Sequence, residues 1–145
     1  MDKEIFVDTS AFYALVDAKD PAHRVAKKYF MHCNQPMVTT EFIFAECLSL
    51  ITKRLGKSIA IRFGEGLRAS KLIRMSHSSE ELIDKAWEEF VKFSDKGFDL
   101  IDCTSFVTME SLGIKTAFSF DKHFAQRGFY IVPSKARSQT SFIED

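Results

Sequence analysis

Four carboxylates have the residue type and the setting to do chemistry. Asp8 closes the apolar run Glu4-Ile5-Phe6-Val7 and is followed by Thr9 and Ser10. Glu46 lies inside Phe42-Ile43-Phe44-Ala45-Glu46-Cys47-Leu48-Ser49-Leu50-Ile51, Asp102 inside Leu100-Ile101-Asp102-Cys103-Thr104-Ser105, and Asp121 in Phe120-Asp121-Lys122-His123-Phe124. Taken singly, three of them have ordinary uses: Asp8 and Asp102 suit helix N-caps, and Asp121 suits a turn. Glu46 is harder to place, because it shares a helical face with Ile43, Cys47 and Leu50 that should look inward. A buried carboxylate costs several kcal/mol unless it is paired with a cationic side chain, protonated or bound to a metal ion.

The neighbouring hydroxyls favour the metal. Thr9 and Ser10 after Asp8, and Thr104 and Ser105 after Asp102, can hold carboxylates or water in place around an ion. The three cysteines, Cys33, Cys47 and Cys103, form no C-x-x-C pair and no histidine cluster accompanies them, so zinc is disfavoured. Hard oxygen ligands point to Mg²⁺ or Mn²⁺. Mg²⁺ keeps several waters and takes phosphate oxygens as ligands, which directs the chemistry to phosphate esters. His123, a single imidazole between a lysine and an apolar residue, reads as structural rather than as a general base.

The elements that must position these acids can be read from periodicity. A strand ending at Val7, a polar turn and a helix over Ala11–Leu15 open the chain. Asp20-Pro21 suits a helix start leading to about Met31. Met37-Val38-Thr39 reads as a strand before a helix over Glu41–Arg54, and Gly56 separates that helix from another over Lys57–Arg68. Lys71–Met75 alternates as a strand does, and Ser79–Phe93 carries Leu82, Ile83, Ala86, Trp87 and Phe90 at helical spacing, with Gly97 as its terminator. Trp87 and the phenylalanines read as core rather than as base-stacking platforms. A helix from near Asp102 to Gly113, then strands over Thr116–Phe120 and Phe129–Val132, complete the domain. Alternating strands and helices predict an α/β fold, a parallel sheet covered by helices, and such sheets bind ligands beyond the carboxyl ends of their strands. Asp8 and Asp121 both fall there.

At 145 residues the chain is one domain, taken as residues 1–133, with the polar stretch 134–145 expected to be a flexible tail. A hydrophobic share of 46 % with 15 Phe and 3 Pro excludes a disordered chain. No apolar run approaches the roughly 20 residues of a membrane span and the start is not a signal peptide, so the protein is expected to be soluble and cytoplasmic. The cysteines are expected to be buried thiols. Net charge is zero, yet Lys53, Arg54, Lys57, Arg62, Arg68, Lys71 and Arg74 face one acid, Glu65, between positions 53 and 74. That stretch is either a solvated helix face or a phosphate-facing patch, with Lys53, Arg54 and Lys57 as the RNA-backbone candidates.

The four acidic segments, in this order and in these strand and helix contexts, resemble the motifs of the PIN-domain nucleases, and within them the VapC-type toxins of prokaryotic toxin–antitoxin pairs. Phe6-Val7-Asp8-Thr9-Ser10-Ala11-Phe12 is similar to the first motif, Ala45-Glu46 to the second acidic position, Leu100–Phe106 to the third and Ser119–Phe124 to the fourth, with Ser119 where relatives often carry Thr. The resemblance covers Ile5 to Pro133. It implies a PIN-like three-layer α/β/α sandwich with a mostly parallel central sheet, and a Mg²⁺- or Mn²⁺-dependent endoribonuclease. Asp8, Glu46, Asp102 and Asp121 would be its metal-binding and catalytic residues, supported by Thr9, Ser10 and Ser119. It further implies a small antitoxin whose C-terminal segment lies over the acidic site, and a homodimer. Asp99, three residues before Asp102, is either an outer carboxylate of the site or an exposed acid. Two rivals stand beside this reading. A haloacid-dehalogenase-like phosphatase also starts with an aspartate after strand one, but needs a second aspartate where this chain has Ser10. A catalytically silent PIN-like module that binds RNA or protein would be expected to have lost acids, and here all four positions are filled.

Overall fold

The computed structural model describes residues 3–134; of the expected tail, 135–145 lie outside the described residues. Five short strands, β1 (Ile5–Val7), β2 (Met37–Thr40), β3 (Ile73–Ser76), β4 (Thr116–Phe118) and β5 (Tyr130–Val132), form one sheet in the order β3-β2-β1-β4-β5. Every pairing is parallel, with Ile5 opposite Met37, Phe6 opposite Ala117 and Val7 opposite Phe118. Near-continuous apolar strands are what a sheet covered on both faces requires. Ile5, Phe6 and Val7 are all buried, as are all four residues of β2.

Seven helices make the crossovers: α1 (Thr9–Val16), α2 (His23–His32), α3 (Glu41–Leu55), α4 (Lys57–Ala69), α5 (Glu80–Lys92), α6 (Leu100–Leu112) and α7 (Lys122–Arg127). The chain steps from β1 outward to β3, then returns past β1 to β4 and β5. Right-handed crossovers therefore put α1–α4 on one face and α5–α7 on the other. The main helix contacts follow that division, α1 with α2 and α3, α3 with α4, α5 with α6, and α6 with α7. Strand order reverses between β1 and β4, and the crevice at such a switch point is where parallel α/β sheets bind ligands.

An aromatic chain fixes the helices that border this crevice. Phe6 of β1 meets Phe124 of α7 with centroids 6.2 Å apart, Phe124 meets Phe106 of α6 at 5.2 Å, and Phe106 meets Phe98 at 5.0 Å. Each such pair adds about 0.5–1.5 kcal/mol beyond the area it buries. The ends of β1, α6 and α7 are thus held as one packed unit.

Several boundaries differ from the sequence reading. Helix α2 starts at His23, because Asp20 and Pro21 are used in a turn: Asp20 Oδ1 accepts from Ala22 N and its carbonyl from His23 N. Helix α5 stops at Lys92, short of Gly97, with Phe93 turning in to pack on Phe98. Strand β3 begins at Ile73, since the Ser70 hydroxyl accepts from Leu72 N and Ile73 N and delays the ladder. Strand β4 ends at Phe118, two residues early, and β5 begins at Tyr130. Helix α6 starts at Leu100, capped by Asp99 rather than Asp102, and α7 is a six-residue helix too short to show a period. Trp87 is 55 % exposed beside Phe90, so it is not core; Ala86 is the buried residue of α5. Cys47 and Cys103 are buried thiols, while Cys33 is only partly buried. Among the described residues no helix is long and apolar enough to cross a membrane.

Candidate functional site

Asp8 leaves β1 and caps α1, its Oδ2 accepting from Ser10 N at 3.4 Å. The same oxygen accepts the hydroxyls of Ser10 and Ser119, each at 2.9 Å. Each hydroxyl oxygen also accepts a backbone N–H, Phe120 N to Ser10 Oγ at 2.8 Å and Asp121 N to Ser119 Oγ at 2.9 Å, and the two oxygens stand 3.3 Å apart. The loop after β4 thus orients the carboxylate after β1. Glu46 sits on α3 beside the buried Ile43-Cys47-Ile51 stripe rather than on it; with Leu50 and Arg54, spaced by four residues, it faces the cleft. Its Oε1 accepts from the Thr9 hydroxyl.

Asp102 is the third residue of α6 and completes a capping box with Asp99: Asp102 N donates to Asp99 Oδ1 at 2.7 Å and Asp99 N to Asp102 Oδ2 at 3.1 Å. The capping expected of Asp102 is therefore reciprocal, and Asp99, exposed, is the cap proper. Asp121 caps α7, its Oδ1 accepting from His123 N at 2.9 Å. His123 Nδ1 lies 2.9 Å from Asp102 Oδ2 and 3.3 Å from Asp121 Oδ1. Thr104 and Ser105 do not reach the acids: Thr104 donates to the Ile101 carbonyl within its own helix, and the Ser105 hydroxyl is buried without a partner among the described residues.

Asp8, Glu46, Asp99, Asp102 and Asp121 line one cleft of 370 Å³. In each of Asp8, Glu46, Asp102 and Asp121, one oxygen is tied by donors of the protein and the other has no partner among the described residues: Asp8 Oδ1, Glu46 Oε2, Asp102 Oδ1 and Asp121 Oδ2. No lysine or arginine among the described residues forms an ion pair with these acids, which removes the buried-pair account of Glu46. Burial pushes the Asp8 carboxyl up to about 6 despite its two serine donors. Asp102 is pushed up to about 7, first by burial and then by the charge of Asp99. Glu46 is raised by burial, with Asp99 and Asp121 adding to it. An acidic cluster with oxygens held from the protein side and no lysine or arginine paired to them fits a divalent cation with hard oxygen ligands, and the side chains of Asp102, Asp121 and His123 converge to within 4.8 Å of one another.

The basic candidates divide. Arg54 lines the acidic cleft, its guanidinium 5.2 Å from the centroid of the Tyr13 ring. Lys53 and Lys57 instead rim a second groove between α3 and α4, floored by Phe44, Leu48 and Ile61. Arg74 is paired with Glu4 at 2.9 Å and is not part of an open patch. The participant that sequence reasoning set aside is His123; only its i+2 spacing from Asp121 could have signalled it.

The PIN domain family matches residues 5–130 of the chain. The chain is 33 % identical over 125 residues to a 23S rRNA-specific endonuclease, VapC20, of Mycobacterium tuberculosis, covering 86 % of this chain and 95 % of that protein. The crystal structure of M. tuberculosis VapC20, described as a sarcin-ricin loop cleaving toxin, superposes with a TM-score of 0.82 at 32 % identity, over 86 % of this chain and 95 % of that one. DNA-bound VapBC from Salmonella typhimurium (TM-score 0.64, 15 % identity, 90 % and 97 % covered) and FitAcB from Neisseria gonorrhoeae (0.65, 16 %, 88 % and 95 %) share the fold.

Proposed function

The chain belongs to the PIN-domain family, and from that premise we propose that it is a Mg²⁺- or Mn²⁺-dependent endoribonuclease, the toxin of a toxin–antitoxin pair. The observation that carries this reading is the set of four cleft-lining carboxylates, each with one oxygen held by the protein and one left over, with no lysine or arginine paired to them.

In this reading Asp8, Glu46 and Asp102 would hold the cation. Ser10 and Ser119 keep Asp8 Oδ1 turned to the cleft, Thr9 does the same for Glu46 Oε2, and the α6 capping box tethers Asp102 through Oδ2. The chemistry a divalent ion would supply if bound there is charge neutralisation at the scissile phosphate and a more acidic water. Asp121, anchored through Oδ1 to α7, would use Oδ2 to orient the attacking water, whose oxygen bonds to phosphorus as the bond to the leaving ribose oxygen breaks, the water's proton passing to solvent and the leaving oxygen taking one up from solvent. Arg54 contacts a neighbouring phosphate at the mouth of the cleft, and Lys53 and Lys57 extend the backbone contact along α3 and α4. Residues 1–133 form the catalytic unit.

The relative that acts on 23S rRNA makes the sarcin-ricin loop of that RNA the first substrate to try. We further propose a cytoplasmic homodimer held silent by an antitoxin partner. Purified protein should cut a sarcin-ricin loop oligonucleotide in Mg²⁺ or Mn²⁺ and not in EDTA. Undiminished cleavage in EDTA would end the metal reading, and binding without cleavage in either metal would leave a silent RNA-binding module.

A further inference from the structure

His123 lies behind the acids and is not among the residues lining the cleft, yet it is the side chain that joins α6 to α7 at the site. Its Nδ1 faces two acceptors, Asp102 Oδ2 at 2.9 Å and Asp121 Oδ1 at 3.3 Å, so with both acids ionised the proton belongs on that nitrogen. The ring has little freedom. It stands edge-on to Phe98, with centroids 5.5 Å apart and planes at 77°, and Nε2 would lie 3.3 Å from a Cβ placed on Gly97. Asp102 Oδ2 also accepts from Asp99 N at 3.1 Å, so two donors converge on one oxygen while Oδ1 has none. The Asp99 bond alone holds that carboxylate at a single point and leaves it able to swing.

We propose that His123 is a positioning residue: its Nδ1–H, donated to Asp102 Oδ2, selects the oxygen of Asp102 that faces the cleft. This rests on the cation-binding reading of the site. Gly97, outside any helix or strand, leaves the space in which the ring sits. The arrangement inverts the common one in which a carboxylate orients a ligating histidine, and the same magnitude applies, about 10–100-fold in metal affinity when the orienting partner is lost.

The test is titration calorimetry with Mn²⁺ on the parent, His123→Ala, His123→Asn, His123→Gln, Gly97→Ala and Asp8→Asn, with melting curves in EDTA to show that each is folded. Asparagine can place an amide N–H where Nδ1 stands; glutamine reaches the place of Nε2. His123→Ala and His123→Gln should bind Mn²⁺ about 10–100-fold more weakly, His123→Asn within about threefold of the parent, and Gly97→Ala more weakly than the parent because its methyl meets Nε2. Single-turnover RNA cleavage at limiting Mn²⁺ should follow the same order as Mn²⁺ affinity across these variants. Equal Mn²⁺ affinity of the Asn and Gln variants overturns the proposal, as does a His123→Asn protein that binds Mn²⁺ normally but cannot cut, which would make His123 an acid–base group. If His123→Ala does not fold, the Asn and Gln pair decides. A parent that takes up no Mn²⁺ ends both readings, whereas binding lost in Asp8→Asn but retained in His123→Ala ends only this one.

Discussion

At the scale of the residue, the acids of the cleft are held one oxygen at a time. Asp8 carries three donors on Oδ2 and, among the described residues, none on Oδ1, so Asp8→Asn keeps shape but places an amide where a charged ligand would stand. If the lost stabilisation is about 3 kcal/mol, cleavage should fall on the order of 100-fold, read as single-turnover RNA cleavage in Mn²⁺; activity within twofold of the parent would exclude Asp8 as a ligand. Glu46 gives the opposite sign for stability. It is half-buried, raised by burial and by the charges of Asp99 and Asp121, and has no cationic partner among the described residues. Glu46→Gln should therefore raise the melting temperature in EDTA and shrink the gain on adding Mg²⁺. A hidden ion pair would instead make that variant melt well below the parent.

At the scale of the element, two short helices and their caps set the site. Asp99 has two roles that substitutions can separate, since Asn caps as well as Asp but carries no charge. Asp99→Asn should leave stability within about 0.5 kcal/mol, whereas Asp99→Ala should cost about 1 kcal/mol in urea melts. Only if Asp99 also serves the cleft will Asp99→Asn change Mn²⁺ affinity. Helix α7, which carries Asp121 and His123, is anchored at its other end by Arg127. That guanidinium bonds Glu89 of α5 at 3.1 and 2.6 Å, pairs with Glu110 of α6 at 3.1 Å and lies 5.6–5.7 Å from the ring centroids of Phe93, Phe106 and Phe129. Arg127→Ala leaves Glu89 unpaired in a mostly buried place, and should cost roughly 3 kcal/mol. Restoration of stability by Glu89→Gln in the same chain would identify the stranded charge as the cause.

At the scale of the whole molecule, the cleft makes stability depend on pH and metal together. Asp8 at about 6 and Asp102 at about 7 stand above their ordinary value of 3.8, so the folded chain binds protons that the unfolded chain has released. Metal-free stability is therefore greatest at the acid end of this window and is lost as pH rises from about 4 to 7. The EDTA-treated protein should melt higher at about pH 5 than at about pH 7.5, and saturating Mn²⁺ should reduce or invert the difference, because cation and protons compete for the same oxygens. A flat profile in EDTA would mean that burial and the neighbouring acids do not raise these carboxyls. The two grooves on either side of α3 also separate in RNA binding. Lys53→Glu with Lys57→Glu should flatten the salt dependence of RNA affinity, since fewer counterions are released; an unchanged slope would return those lysines to a solvated helix face.

Sequence alone determined the fold class and the order of the main strands and helices, and it singled out four acids that line one cleft, because apolar runs, Gly56 and Gly113 as breaks, and carboxylates at strand ends or within apolar helices are all local signals. It also placed Ser10 beside Asp8, two residues away. What the tertiary structure decided depends on contacts between positions far apart in the chain: Ser119 reaching Asp8 across 111 positions, Thr9 reaching Glu46 across 37, and His123 meeting Asp102 across 21. No periodicity encodes such a meeting. The α3 face was misjudged for the same reason, since a helix next to a cleft has an edge that is neither core nor solvent, and only the position of β1 and α6 beside it shows that Glu46 and Arg54 occupy that edge while Lys53 and Lys57 look the other way.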